Sequence, residues 1–237
     1  MRLLALDTST ETLSVALRCG GETLSRTEQA GAAASERALP LIALLLAEAG
    51  ITGASLDAIA FGEGPGSFTG LRIACGITQG LAEAWALPVV PVSSFLAAAE
   101  SARAKHGPAA ARVVVAFDAR MQEVYLGAFE QVDGIWRALQ APQVVAPAQA
   151  RLSCGVGLLG CGDGFARYPD LQAAMAGALQ GIDAAIAPSA VAMIGLAAIE
   201  LAAGRAVDPS RAHPNYLRDK VALTVAERRA RREGTAA

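Results

Sequence analysis

The chain carries one structural unit twice. Leu3 to Leu6 is a short apolar run ending at Asp7; polar turn formers follow, and Leu13-Ser14-Val15-Ala16-Leu17 then alternates with the period of a half-buried strand. Gly20-Gly21 marks a further turn, with a third strand expected near Glu22 to Thr27. Asp118 lies 111 residues after Asp7 and again ends an apolar run, Val113 to Phe117. The same ungapped shift lays Val124 on Leu13 and Leu126 on Val15, and Asp133-Gly134 supplies the next turn. Downstream, Phe61-Gly62-Glu63-Gly64-Pro65-Gly66 and Leu159-Gly160-Cys161-Gly162-Asp163-Gly164 both place GxGxG after an apolar run. A repeat this long predicts a duplicated α/β domain rather than a solenoid, whose period is shorter. The 237 residues suffice for two lobes of roughly 110 each.

Helices are expected between these markers: from Ser35-Glu36-Arg37 to about Ala49, from Thr69-Gly70 to about Trp85-Ala86 ahead of Pro88, from Ser93 or Ser94 through His106, and from Pro188-Ser189 to about Ala203. The Pro/Gly/Ala stretch from His106 to Ala111 divides the chain into lobes at 1–106 and 107–237.

Although 53% of residues are hydrophobic, only 5% are aromatic and 54 are alanine, so the apolar content favours closely packed helices. A net charge of −2 argues against a protein that coats duplex nucleic acid through a basic surface, which leaves RNA contact local or indirect. Cys19, Cys75, Cys154 and Cys161 form no CxxC pair and are too sparse to staple a fold of this size, as expected of reduced thiols. The N-terminus reaches Asp7 after too few apolar residues for a signal peptide, and the apolar run from Leu39 to Ala47, broken by Pro40, falls far short of the ~20 residues a membrane span needs. A cytoplasmic location is expected.

Three features carry candidate chemistry. Asp7, Thr8 and Ser9 sit at a strand end where actin-like ATPases and sugar kinases hold metal-bound phosphate. Those proteins usually have glycine where Ser9 stands, and a turn bonding its own backbone is the other reading. The run Gly62 to Arg72, with Gly64 and Gly66, leads into a helix; its backbone can approach phosphate or another chain closely, and it lacks a P-loop lysine. In that helix Gly76 and Gly80 stand four apart beside Ile73 and Ile77, with Leu71, Ala74, Thr78 and Ala82 on another side. A helix apolar on two sides needs full burial or a partner, and the Ala38 to Ala47 helix has the same excess.

Other chemistry has no support. His106 and His213 form no HxxxH pair, so no helix-borne metal site is expected, and no GxSxG elbow appears. Cys75 is expected to be a buried structural thiol. From Arg218 to Glu233 the sequence is basic and reads as a solvated end or as a tail touching RNA or a partner.

LLALDTST, GEGPGSFTGLRIACGITQGLA, DARMQEVYLGAF and HPNYLRDKVA, taken in order over nearly the whole chain, resemble the TsaB (YeaZ) family, which serves formation of N6-threonylcarbamoyladenosine at position 37 of tRNAs reading ANN codons. The resemblance implies a two-lobed actin-like (ASKHA, ribonuclease H-like) α/β fold and a non-catalytic scaffold that docks on the paralogous transferase TsaD and helps recruit the ATPase TsaE. It implies no cofactor of its own, with ATP and Mg²⁺ confined to the assembled complex, indirect contact with tRNA, and a homodimer as an option for the isolated chain. The docking residues it implies lie on the two N-lobe helices: Leu41, Leu44, Leu45, Arg72, Ile73, Gly76, Ile77 and Gly80. TsaD carries a metal-binding histidine pair in the first of these helices, where this chain has no histidine. A stand-alone actin-like ATPase and a glycoprotease-like peptidase are the alternatives.

Overall fold

A computed structural model describes residues 1–218; of the basic stretch only Arg218 falls inside, and the rest lies outside the described residues. Strands β1 (Leu3–Asp7), β2 (Thr12–Cys19) and β3 (Glu22–Gln29) form the expected meander. Helix α1 (Ala34–Glu48), strand β4 (Ala58–Gly64), helix α2 (Phe68–Trp85), strand β5 (Val89–Ser93) and helix α3 (Ser94–His106) follow. The second half repeats the plan with β6 (Arg112–Asp118), β7 (Val124–Val132), β8 (Ile135–Val145), β9 (Leu158–Cys161), α4 (Asp163–Arg167), α5 (Pro169–Met175), β10 (Leu179–Asp183) and α6 (Ala190–Ala202). One sheet runs β3-β2-β1-β4-β5 and the other β8-β7-β6-β9-β10, so the duplication seen in the sequence is a duplication of topology.

The two hairpins differ by one residue. Asp7 pairs with Ser14 across residues 8–13, whereas Asp118 pairs with Val124 across residues 119–123. Because side chains alternate along a strand, one residue reverses the face presented. Leu4 and Leu6 therefore pack under α1 and α2, while Val115 and Phe117, the residues 111 further on, face α3. Val124 and Leu126 keep the outward orientation of Leu13 and Val15. The shift of 111 thus holds on the second strand of each hairpin and slips on the first.

Five layers result. Helices α1 and α2 cover the outer face of the first sheet, and α4 and α5 cover the outer face of the second. Between the sheets lie α3 and α6, each exchanged between halves of the chain. Phe95, Ala98, Ala99 and Ala102 of α3 pack with Val113, Val115 and Phe129 of the second sheet, where Phe95 meets Phe117 and Phe129 at ring separations of 5.1 and 5.9 Å. Met193, Ile194 and Ala197 of α6 pack with Leu3, Ala5, Ala58 and Val90 of the first. Each fully buried large side chain at these contacts contributes about 1.5–3 kcal/mol relative to exposure. Alanine is concentrated where the middle layer is tightest: Ala97, Ala98, Ala99 and Ala102 have no solvent exposure. No helix among the described residues is long and apolar enough to cross a membrane.

Candidate functional site

The glycine run owes its composition to its own chain. Ser67 caps α2, its hydroxyl accepting from the Gly70 amide at 3.3 Å. A Cβ on Gly70 would lie 1.8 Å from the Thr8 carbonyl oxygen, and one on Gly66 would lie 2.4 Å from that of Ser9. Gly64, at φ +119°, would bring a Cβ within 2.8 Å of the Asn215 carbonyl oxygen. The close approach expected at these glycines is therefore to residues 8–9 and 215, while Ser9 and Gly66 also line the open cleft between the lobes.

Asp7 is fully buried. Its Oδ1 accepts from the Ser9 amide at 2.9 Å and the Ser9 hydroxyl at 2.8 Å, and its Oδ2 accepts from the Ser94 hydroxyl at 3.3 Å. Burial pushes its carboxyl above the ordinary aspartate range, against the lowering effect of these hydrogen bonds. Thr8 donates its hydroxyl to the Gly70 carbonyl at 2.7 Å, and Ser9 is 2% exposed. With no solvent face and with donors already directed at both oxygens, Asp7 does not fit the coordination of a hydrated Mg²⁺. Gly62 makes room for it, since a Cβ there would lie 1.8 Å from Asp7 Oδ2. Asp118 points to the opposite face of its sheet and lines the cleft with a side chain only 5% exposed, accepting from the Tyr168 hydroxyl at 2.8 Å and pairing with Arg120 and Arg167 at 3.4 and 3.3 Å. The thiol of Cys75 is buried and pushed up by desolvation, and that of Cys161 reaches about 12, so neither is a reactive nucleophile.

A cleft of about 370 Å³ opens between the lobes, lined among others by Glu11, Phe68, Asp118, Arg120, Arg167 and Arg218. Its second-lobe rim is the loop Ala119–Glu123, where Arg120, Met121 and Gln122 are all left-handed, at φ +61°, +55° and +61°. Three successive non-glycine residues in that region store strain, roughly 1–2 kcal/mol each.

On the outer face of the first lobe, the eight docking candidates separate by helical phase. Leu41 and Leu45, 5% and 0% exposed, belong to the protein's own core, correcting the expectation that they face a partner. Leu44 is 49% exposed, and with Leu39, Pro40, Ala43 and Ala47 it forms the outward face of α1. On α2 the side bearing Ala74, Cys75, Thr78 and Ala82 is buried, Ile73 and Ile77 are half-buried at the rim, and Arg72, Gly76 and Gly80 are exposed. A Cβ on Gly76 or Gly80 would meet nothing within 4 Å. Beside them stands a group of which sequence reasoning named only Arg72. The Arg72 guanidinium lies 3.9 Å from the Phe68 ring centroid, its Nε donates to the Tyr216 hydroxyl at 2.9 Å, and the two rings are 5.2 Å apart. Phe68 is one helical turn before Arg72 and could have been found from that spacing; no local pattern points to Tyr216.

Two sheets of like topology, exchanged middle helices and a cleft at the ends of β1 and β6 define the class, a two-lobed actin-like α/β protein. Residues 23–223 match the family model described as TsaD: tRNA N6-adenosine threonylcarbamoyltransferase. The tRNA threonylcarbamoyladenosine biosynthesis protein TsaB of Haemophilus influenzae is 39% identical over 93% of this chain and 95% of its own length; that of Escherichia coli is 37% identical over 94% and 96%. The solved structure of YeaZ from Pseudomonas aeruginosa superposes with a TM-score of 0.80 at 38% identity, covering 91% of this chain and 99% of that one. The chain belongs to the TsaB (YeaZ) family.

Proposed function

We propose that this protein serves tRNA threonylcarbamoyladenosine biosynthesis in the cytoplasm as a non-catalytic subunit, docking on the transferase TsaD through the outward faces of α1 and α2 and helping to recruit the ATPase TsaE. The observation that carries the reading is the near full-length similarity to proteins named for that pathway. The surface supports it: Gly76 and Gly80 lie bare on the exposed side of α2, a shape into which another helix can pack closely, and Leu44 is exposed on α1. Interfaces concentrate binding energy in arginine and aromatic anchors, and the Phe68, Arg72 and Tyr216 group flanks the bare stripe. In this reading ATP and Mg²⁺ act only in the assembled complex, tRNA contact is indirect, and the isolated chain can pair with itself through the same face. Buried Asp7 gives a stand-alone ATPase no support.

Gly76→Leu places a bulky side chain in open space, so the variant is expected to fold and to lose retention of TsaD in a pull-down. Wild-type affinity from a folded variant would refute this docking face. Reconstituted tRNA modification with and without this chain, alongside TsaD, TsaE and the adenylate-forming enzyme, tests the pathway assignment itself: unchanged modification in its absence would reject it.

A further inference from the structure

After α6 the chain returns along the first lobe and then crosses the mouth of the cleft. Gln79 donates its Nε2 to the carbonyls of Pro209 and Ala212 at 3.2 and 2.9 Å, and Cys75 donates its thiol to that of Ala212 at 3.4 Å. The Asn215 amide donates to the Glu63 carbonyl at 2.7 Å, and Tyr216 stacks on Phe68 while accepting from Arg72. All these anchors belong to the first lobe. Two residues later Arg218 engages the second, where its guanidinium pairs with Glu123 and donates to Met121 Sδ at 3.3 Å. Both acceptors belong to or flank the left-handed turn of residues 120–122.

A second ion pair also spans the cleft, from Arg120 to Glu11 at 2.9 Å, but its side chains are 62% and 66% exposed. Pairs so open to solvent contribute little. Arg218 is only 13% exposed, so removing its partner would leave a largely desolvated charge. The middle layer of α3 and α6 joins the lobes on one side, and the strap closes the other.

We propose that residues 212–218 form a strap holding the two lobes closed over the cleft, with the Arg218–Glu123 pair as its clasp and the strained loop Ala119–Glu123 as its seat. The inference stands on these contacts alone and does not depend on the docking reading.

Hydrogen–deuterium exchange on the full chain tests it, comparing wild type with Arg218→Ala and Glu123→Gln. Amides of both cleft walls, residues 66–69 of the first lobe and 119–123 of the second, are expected to exchange about tenfold faster in the variants, while β1 and β6 keep their protection. The charge swap Arg218→Glu with Glu123→Arg is expected to restore slow exchange. Acceleration confined to 119–123, or no acceleration, would overturn the strap, since the pair would then order its own loop without holding the lobes. Glu123→Gln preserves side-chain size and carries the test should Arg218→Ala fail to fold by circular dichroism.

Discussion

Asp7 accepts three hydrogen bonds and reaches no solvent, so its loss strands the Ser9 amide, the Ser9 hydroxyl and the Ser94 hydroxyl between β1 and α3. Asp7→Ala is expected to cost about 2–3 kcal/mol, read as a lower urea midpoint at unchanged slope. The carboxyl's pH dependence has a definite sign. Burial raises its folded value above the unfolded one, so its contribution is fully present below about pH 4 and is lost as pH rises through the raised value. Asp7→Asn does not titrate, and its stability relative to wild type is expected to improve between pH 4 and pH 7 in paired urea denaturations. A constant difference between the two proteins would refute a buried, upward-shifted carboxyl. That an acid ends the first strand was legible in the sequence. Which way it points was not, because one residue in a hairpin reverses a face, and Asp7 and Asp118 point oppositely despite aligning in the repeat.

Helix α2 holds two kinds of glycine. Gly66 and Gly70, at and just before its start, are packed against the backbone of residues 8 and 9, whereas Gly76 and Gly80 in its interior face open space. Gly70→Ala is expected to destabilise the fold, since neither the Thr8 carbonyl nor the helix N-terminus can withdraw from a contact at 1.8 Å. Gly76→Ala strains nothing and removes a helix-interior glycine, so it is expected to stabilise the isolated protein by about 0.5–1 kcal/mol. Thermal unfolding of both variants checks the pair, and a destabilising Gly76→Ala would show that the exposed stripe is already packed. The helix and its glycines were legible from spacing and from Pro88 beyond its end. The sorting of the glycines was not, because it depends on what the turn after β1 and the strap bring against the helix from 62 and 144 residues away along the chain.

At the scale of the whole molecule the lobes divide by chain order but not by core. The segment 1–106 contains α3, whose Phe95, Ala98 and Ala102 pack on the second sheet, and it lacks α6, which covers Leu3, Ala5 and Val90 of the first. Expressed alone, that segment is expected to bind a hydrophobic dye and to unfold without a sharp transition. A cooperative transition would mean that α3 can cover its own sheet. The alanine content pointed to closely packed helices, yet a sequence pattern cannot say which of two like sheets a helix covers.

The exchange of α3 and α6 also bears on synthesis. The first sheet is complete in the nascent chain once β5 leaves the ribosome, yet the helix that covers its inner face follows about a hundred residues later. Translation at roughly 5–20 residues per second leaves that face bare for some 5–20 s. During that interval the protein is a client for any chaperone that binds exposed aliphatic strands.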